Sequence, residues 1–342
     1  MGFTEKIIVI NEFKKGGIST FVKSSNFNSE DVLDLSKLSR TNNPIIKIFK
    51  AILIVYREKP KLLVCVEDLP SVIGFFYIHS KVIVNIHRNP DLNYSRFKGF
   101  FFKILYKYLF SKNVRFIGVS KDQSNSLSKI INRKVKYCYT VFKIKKRNLI
   151  SYEYKSITFL IASRLEPEKG INEAISYFLH LKKILNSSNI KASLKIYGNF
   201  KDENFRIDLL NKINFIDSII YVGEFSQVEE LVTHASPVFL NFSHHEGFGL
   251  INWEMIDLGV PSIIYNCDYG VSELITPKFN HSKFGPKLIN SFVIREDEVN
   301  FVKSLATDVS FYFRSSQNSL ICSDEFRLKA LNNNINCFMA QE

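Results

Sequence analysis

Two carboxylates eight residues apart, Glu246 and Glu254, mark the stretch of this chain with the clearest capacity for chemistry: Ser236–Asn266, SPVFLNFSHHEGFGLINWEMIDLGVPSIIYN. At ~100° and ~1.5 Å per residue, two such carboxylates on a continuous helix stand about 80° and 12 Å apart. That is too far to share one proton. The spacing suits two hydrogen-bond acceptors that meet different hydroxyls of one elongated ligand. Between them Gly247 and Gly249 carry no side chain to keep a ligand from the amides of Phe248, Gly249 and Leu250. A pair of cations, Arg164 and Lys169, brackets the segment RLEPEK, and His87 closes the apolar run KVIVNIH. Each group also has a plainer reading. The acids can be solvated surface residues, the cations can pair with Glu166 or Glu168, and the imidazole can bond a backbone carbonyl at a strand end.

The elements that must hold these groups are legible. Pro237–Phe242 reads as a buried strand, His244–Gly249 as a polar turn, Leu250–Leu258 as a helix stopped by Gly259, and Pro261–Tyr265 as the next strand. In such a unit the turn lies at the carboxyl edge of a parallel sheet. The helix N-terminus there offers unpaired N–H groups, for which a phosphate is the natural guest. The same alternation recurs along the chain. Strands are expected at Glu5–Phe13, Asp31–Leu35, Lys61–Glu67, Lys81–Ile86, Arg115–Val119, Ser156–Ser163, Leu194–Gly198 and Ile219–Gly223. Helices are expected at Ile45–Tyr56, Lys121–Ile131 with Ser120 as N-cap, Ile171–Leu185 and the tail Val299–Leu331. A Gly16–Gly17 turn follows the first strand, and Lys143–Tyr154 reads as the link between two domains. Alternating strands and helices imply doubly wound parallel sheets.

Taken together, EGFGLINWE resembles the E-x7-E signature of the retaining glycosyltransferases of family 4, and RLEPEK resembles their R-x4-K pair. IHRNP places His87 where relatives carry a histidine, and KKGG places Gly16 and Gly17 where they carry a glycine-rich loop. The resemblance covers most of the chain and is strongest over Ser156–Ile275. It implies a GT-B α/β architecture: two Rossmann-like, doubly wound parallel-sheet domains facing a central cleft, residues 1–148 on the acceptor side and 149–342 on the donor side, with a last helix returning to the first domain. By that resemblance Glu246 and His87 would meet the donor sugar and the attacking acceptor. Arg164, Lys169 and the amides of Phe248, Gly249 and Leu250 would hold the diphosphate and sugar, Glu254 would hold the ribose, and Gly16, Gly17 and Gly198 would line the donor. The implied reaction moves a hexosyl unit, with retention, from a nucleotide diphosphate sugar, a UDP sugar by preference, to a hydroxyl. The implied acceptor is a glycan or lipid-linked molecule of bacterial surface polysaccharide, lipopolysaccharide or teichoic-acid-type assembly. Neither a metal nor another cofactor is expected. The chain departs from the family where YCYTVFK replaces a strand ending in Asn, and where Asn199 replaces a small residue.

Composition bounds the rest. With 46% hydrophobic and 23% charged residues the chain suits two ordinary globular domains. No run of about 18 uncharged apolar residues is present to span a bilayer. The start MGFTEKIIVINEF lacks the pattern of a signal peptide, so cytoplasmic residence is expected. Five cysteines without a Cys-x-x-Cys pair read as reduced thiols. The net charge of +13 is concentrated: Lys81–Ile150 holds 17 Lys and Arg against Asp91 and Asp122, a balance of +15. Within that block Tyr94–Phe110, YSRFKGFFFKILYKYLF, has two readings. One is an interfacial helix whose basic stripe, Arg96, Lys103 and Lys107, docks on an anionic membrane at the inner face. The other is a core helix with snorkelling lysines. A GT-B epimerase or phosphorylase, and a basic nucleic-acid-binding protein, are the rival functions. No nucleic-acid motif is present, and no nucleic-acid partner is expected.

Overall fold

Runs such as KVIVNI and SITFLIA are apolar at nearly every position and rich in β-branched residues, so they bury both faces only inside a parallel sheet. The computed structural model of the chain places both in sheet interiors. The structure describes residues 4–11, 32–38, 43–77, 81–87, 90, 97–109, 114–140, 150–267, 269–275, 277–280, 283 and 285–339. Gly16, Gly17, Arg96 and most of the proposed link (143–149) lie outside these residues.

The first sheet contains β1 (Thr4–Asn11), β2 (Val32–Asp34), β3 (Pro60–Val66), β4 (Lys81–Ile86), β5 (Val114–Gly118) and β6 (Val135–Tyr137), in the order β2-β1-β3-β4-β5-β6 with parallel pairing throughout. Its connecting helices are α1 (Pro44–Glu58), α2 (Asp68–Phe76), α3 (Phe97–Ile104) and α4 (Lys121–Ile131). Alternate residues of β1 and β3 face opposite sides. Ile8, Ile10, Leu63 and Cys65 pack with Ala51, Val55, Ile73, Leu105 and Leu127 from the helix side, whereas Val9, Val64 and Val66 form a smaller cluster on the other. Ser120 caps α4 by accepting the Gln123 N–H, as its sequence position suggests.

The second sheet contains β7 (Ser156–Ala162), β8 (Lys191–Tyr197), β9 (Ile219–Gly223), β10 (Pro237–Asn241), β11 (Ser262–Tyr265) and β12 (Lys287–Ile289), in the order β12-β11-β10-β7-β8-β9, again parallel. With it come α5 (Ile171–Asn186), α6 (Glu203–Ile213), α7 (Leu250–Asp257), α8 (Glu296–Thr307) and α9 (Val309–Met339). Every residue of β10 is buried. Cys65, Cys138, Cys267 and Cys322 carry thiols outside any disulfide.

Two compact units result: Met1–Thr140 with Ala330–Glu342, and Val141–Lys329. Within the first, the end of α9 is tied to the strip after β6. Asn333 Nδ2 donates to the Tyr137 carbonyl at 3.0 Å, and Asn334 bonds the Tyr139 N–H and carbonyl, each at 3.0 Å.

Three expectations need correction. The tail is two helices rather than one, because Asp308 takes an extended conformation and its carboxylate caps a new start by accepting the Phe311 N–H at 2.9 Å. The segment Tyr94–Phe110 is not one regular helix: α3 gives way to a π-helical stretch, Leu105–Leu109. Lys103 and Lys107 are both half-buried. Finally, α2, α6, β6 and β12 were absent from the sequence reading. α2 is short and carries Pro70 and Gly74, which mute a helical pattern.

Candidate functional site

In the second unit the turns after β7, β8, β9 and β10 lie along one carboxyl edge, which follows from parallel strands in one sheet. The turn after β7 carries Arg164, a single 3-10 turn Pro167–Lys169, and Gly170 as the start of α5. The turn after β10 carries His244–Gly249. The chain brings these two turns together: Lys169 Nζ donates to Glu246 Oε1 at 2.7 Å, and the His244 N–H donates to the Glu168 carbonyl at 3.0 Å. Lys169 and Glu246 are both largely buried. Arg164 is elsewhere engaged, 3.2 Å from Glu166 Oε1 and 44% exposed, while Lys201 reaches the same carboxylate oxygen at 2.6 Å. Those cations hold the Glu166 carboxyl below the usual range despite its partial burial. The surface pairing foreseen for Arg164 is therefore present, while that for Lys169 is replaced by Glu246.

Glycine is required at two of the predicted positions. Gly249 has φ 75 and starts α7 with no capping side chain, and a Cβ there would lie 2.5 Å from Asn252 Nδ2. Gly198 has φ 142, and a Cβ would come within 1.8 Å of the Ser163 carbonyl in the turn after β7. The first-turn N–H groups of α7, from Leu250 on, thus begin at a residue with no side chain of its own to cap them.

Beneath the Glu246 turn lies a polar layer that sequence reasoning missed. Asn241 Oδ1 accepts the Ser243 N–H at 2.9 Å, and its Nδ2 donates to Asn252 Oδ1 at 2.6 Å. Asn252 Nδ2 and Ser243 Oγ are buried and have no hydrogen-bond partner among the described residues, an uncommon condition that points to a ligand or water. An Asn ending an otherwise apolar strand was the available signal. Glu254 is half-buried on α7, and burial, reinforced by the nearby Glu229 carboxylate, pushes its pKa up to about 8. From outside, α9 supports this helix and turn: the Phe326 ring lies 5.8 Å from both Trp253 and Phe248. Arg327 pairs with the fully buried Asp257, which also accepts the Ser323 hydroxyl at 2.5 Å.

In the first unit His87 follows β4 at the carboxyl edge. Burial pushes its imidazole down to about 3, so it is neutral at physiological pH. Its backbone N–H donates to Glu67 Oε1 at 2.8 Å. Glu67, also missed, lies between β3 and α2 at φ 75 and ψ 177, a conformation almost confined to glycine, and is 6% exposed. Its own N–H is tied to the Asn85 carbonyl at 2.8 Å. An acid closing KLLVCVE at the same edge as His87 was the clue. Lys103 and Lys107 belong to the helix side of this sheet, in and just after α3, and Tyr106 beside them donates to Asp68 Oδ1 at 2.7 Å. Among the described residues no three His, Cys, Asp or Glu side chains converge as metal ligands.

Against known proteins, residues 143–295 match the family described as glycosyl transferases group 1. A poly(glycerol-phosphate) alpha-glucosyltransferase of Bacillus subtilis is 27% identical over 153 residues, 42% of this chain and 21% of that protein. An uncharacterized glycosyltransferase of Haemophilus influenzae is 23% identical over 188 residues, 55% of this chain and 50% of the other. The chain therefore spans at most half the length of these curated relatives. Among solved structures, Anabaena HepE in complex with UDP and glucose is similar with a TM-score of 0.74 at 14% identity, covering 99% of this chain and 100% of that one. Sucrose-phosphate synthase of Thermosynechococcus elongatus reaches 0.72 at 13% identity, with 99% of each chain covered. The fold is the two-domain GT-B α/β fold, and its second unit carries the match to the glycosyl transferase family.

Proposed function

We propose that the chain is a hexosyltransferase, acting with retention on a nucleotide diphosphate sugar, a UDP sugar by preference, and passing the hexosyl unit to a hydroxyl of a glycan or lipid-linked acceptor in surface-polymer assembly. The observation that carries this reading is the meeting of the turns after β7 and β10, where Lys169 touches Glu246 at the bare start of α7. The UDP complexes of HepE and the glucosyltransferase relative support the donor class and the surface-polymer setting.

In this reading the diphosphate lies over the first amides of α7, with Arg164 and Lys169 as its cations. The acceptor oxygen forms a bond to the anomeric carbon on the face from which the diphosphate departs. The bond from that carbon to the phosphate oxygen breaks, and the acceptor's proton passes to the departing phosphate. Negative charge grows on the leaving group, so fixed cations and helix amides stabilise the transition state more than the ground state. These groups carry the role that a metal would otherwise take. Lys169 arrives already neutralised by Glu246; on donor binding it exchanges one anion for another, and the released Glu246 carboxylate accepts from sugar hydroxyls. His87, kept neutral by burial, hydrogen-bonds rather than adding charge, and Glu254 meets the ribose.

The test is thermal-shift screening against nucleotide sugars, because a ligand of the folded state raises the melting temperature by mass action. A UDP sugar should raise it, and Glu254→Ala and Arg164→Ala should each abolish the rise while the ligand-free variants still unfold cooperatively. Normal donor turnover in both variants would overturn the site assignment. Incubation of donor without acceptor separates an epimerase, which would release an altered sugar nucleotide.

A further inference from the structure

Helix α1 turns an apolar face outward. At ~100° per residue, Ile45, Tyr56, Phe49, Leu53 and Ile46 fall within an arc of about 100°, and Lys50 and Arg57 extend one side of it. Ile45 is 74%, Phe49 61% and Leu53 55% exposed, whereas Ala51 and Val55 on the opposite side are buried in the core of the first unit. Glu58, the sole acid on α1, projects away from the exposed arc and is half-buried. The exposed surface of this helix is thus apolar and cationic, without a carboxylate.

The pattern continues onto its neighbours. Helices α1, α2, α3 and α4 contribute to one core cluster and so cover the same face of the sheet. The Tyr56 hydroxyl donates to the Phe76 carbonyl at 2.7 Å, joining the ends of α1 and α2, and Phe76 is 50% exposed. On α3, Phe100, Phe101 and Ile104 are also exposed, and that helix carries Lys103 and no acid. A water-facing side with this many large apolar groups is a surface awaiting a partner.

We propose that α1, with the end of α2 and the exposed face of α3, docks the chain on an anionic phospholipid bilayer. Rings and branched side chains enter the headgroup and acyl boundary, while Lys50, Arg57 and Lys103 meet lipid phosphates. Charge selects the occupant. A second copy of the chain would set the cations Lys50, Arg57 and Lys103 against the same cations across the contact, with no carboxylate on the exposed arc of α1 or on α3 to pair with them. A nucleic acid would match the cations and leave the apolar side chains facing phosphate. The bilayer satisfies both. In this proposal α1 leads the contact and Lys103, of the stripe foreseen in the sequence, joins it, whereas Arg96 lies outside the described residues. Because α1 follows β2, it begins at the carboxyl edge that also holds His87, which keeps that edge near the interface. The proposal is independent of the reaction assigned above.

The experiment uses the full chain and vesicles of phosphatidylcholine with or without phosphatidylglycerol. Wild type should sediment with the anionic vesicles, and combined Ile45→Ser, Phe49→Ser and Leu53→Ser should weaken that partition by about tenfold or more. Combined Lys50→Glu and Arg57→Glu should remove the preference for phosphatidylglycerol. These side chains are exposed, so ligand-free melting temperatures should stay level. A Phe49→Trp variant gives a second readout: brominated lipid should quench it, while the buried Trp253 of wild type stays unquenched. Equal partition of the serine variant, vesicle binding without quenching, or a role for the same residues in self-association or duplex DNA binding instead of vesicle binding would each overturn the proposal.

Discussion

Glu254 is the residue on which electrostatics and recognition meet. An acid whose pKa is raised on folding keeps its proton in the native state after the unfolded chain has released it. From the ordinary carboxylate range up to about 8, the unfolded state therefore binds fewer protons and stability falls as pH rises. Glu254→Gln removes this slope. The melting temperature of the variant should gain on wild type between pH 5 and pH 8, and parallel curves would show that the carboxyl is ionised throughout. A neutral carboxyl both donates and accepts, as an amide does, so Glu254→Gln should also keep much of the nucleotide-sugar shift that Glu254→Ala loses. Glu67 shows the complementary case, a buried acid held in a backbone region suited to glycine while it binds the His87 N–H. Strain of this kind persists where surrounding structure imposes it and concentrates at functional sites.

Helix α9 decides how firmly α7 is held. Asp257 is fully buried, and its carboxylate meets Arg327 and the Ser323 hydroxyl; Arg327 also lies over the Trp253 ring at 5.5 Å. Removing the cation by Arg327→Met leaves a buried anion and should cost about 3–5 kcal/mol. Adding Asp257→Asn should restore part of that loss, a non-additivity that urea titration of the single and double variants measures. The sequence could not have announced this pair, because residues 70 positions apart show no pattern until the fold joins them. Elements set by local rules were legible: β4, β9 and α4 match their expected bounds, since apolar runs, a Ser N-cap and a helical period are written within a few residues. The Glu246 turn was legible for the same reason, through its glycines and flanking strand. What escaped was mostly short, as with β6 and β12, or settled by tertiary contact; α6 is the exception, an 11-residue helix whose N-cap Asp202 is local. The π stretch after α3, the Lys169–Glu246 contact and the outward apolar face of α1 are all of the second kind. In the last case a helical period was seen, and burial alone tells which side of it faces water.

At the scale of the molecule, the hydrophobic clusters among the described residues divide between the two sheets. One large cluster is drawn from residues between Ile157 and Tyr312, and two others from residues between Ile8 and Val135. Each sheet thus has its own core, the condition for a part to fold alone. The single tryptophan, Trp253, is fully buried on α7, so its fluorescence reports the second unit and not the first. The fragment Ile150–Lys329 keeps β7 to β12, Arg164, Lys169, Glu246, Glu254 and the Asp257–Arg327 pair. It should unfold in urea with a fluorescence midpoint close to that of the full chain, and a UDP sugar should move both midpoints alike, because every group assigned to the diphosphate and ribose is retained. A fragment that folds with an unchanged midpoint but no ligand response would place essential donor contacts in the first unit. A midpoint lowered by more than the error of the titration would mean that the first unit supports the second. Equal midpoints with equal shifts are the expected outcome, since the second unit has its own core and keeps Arg164, Lys169, Glu246 and Glu254.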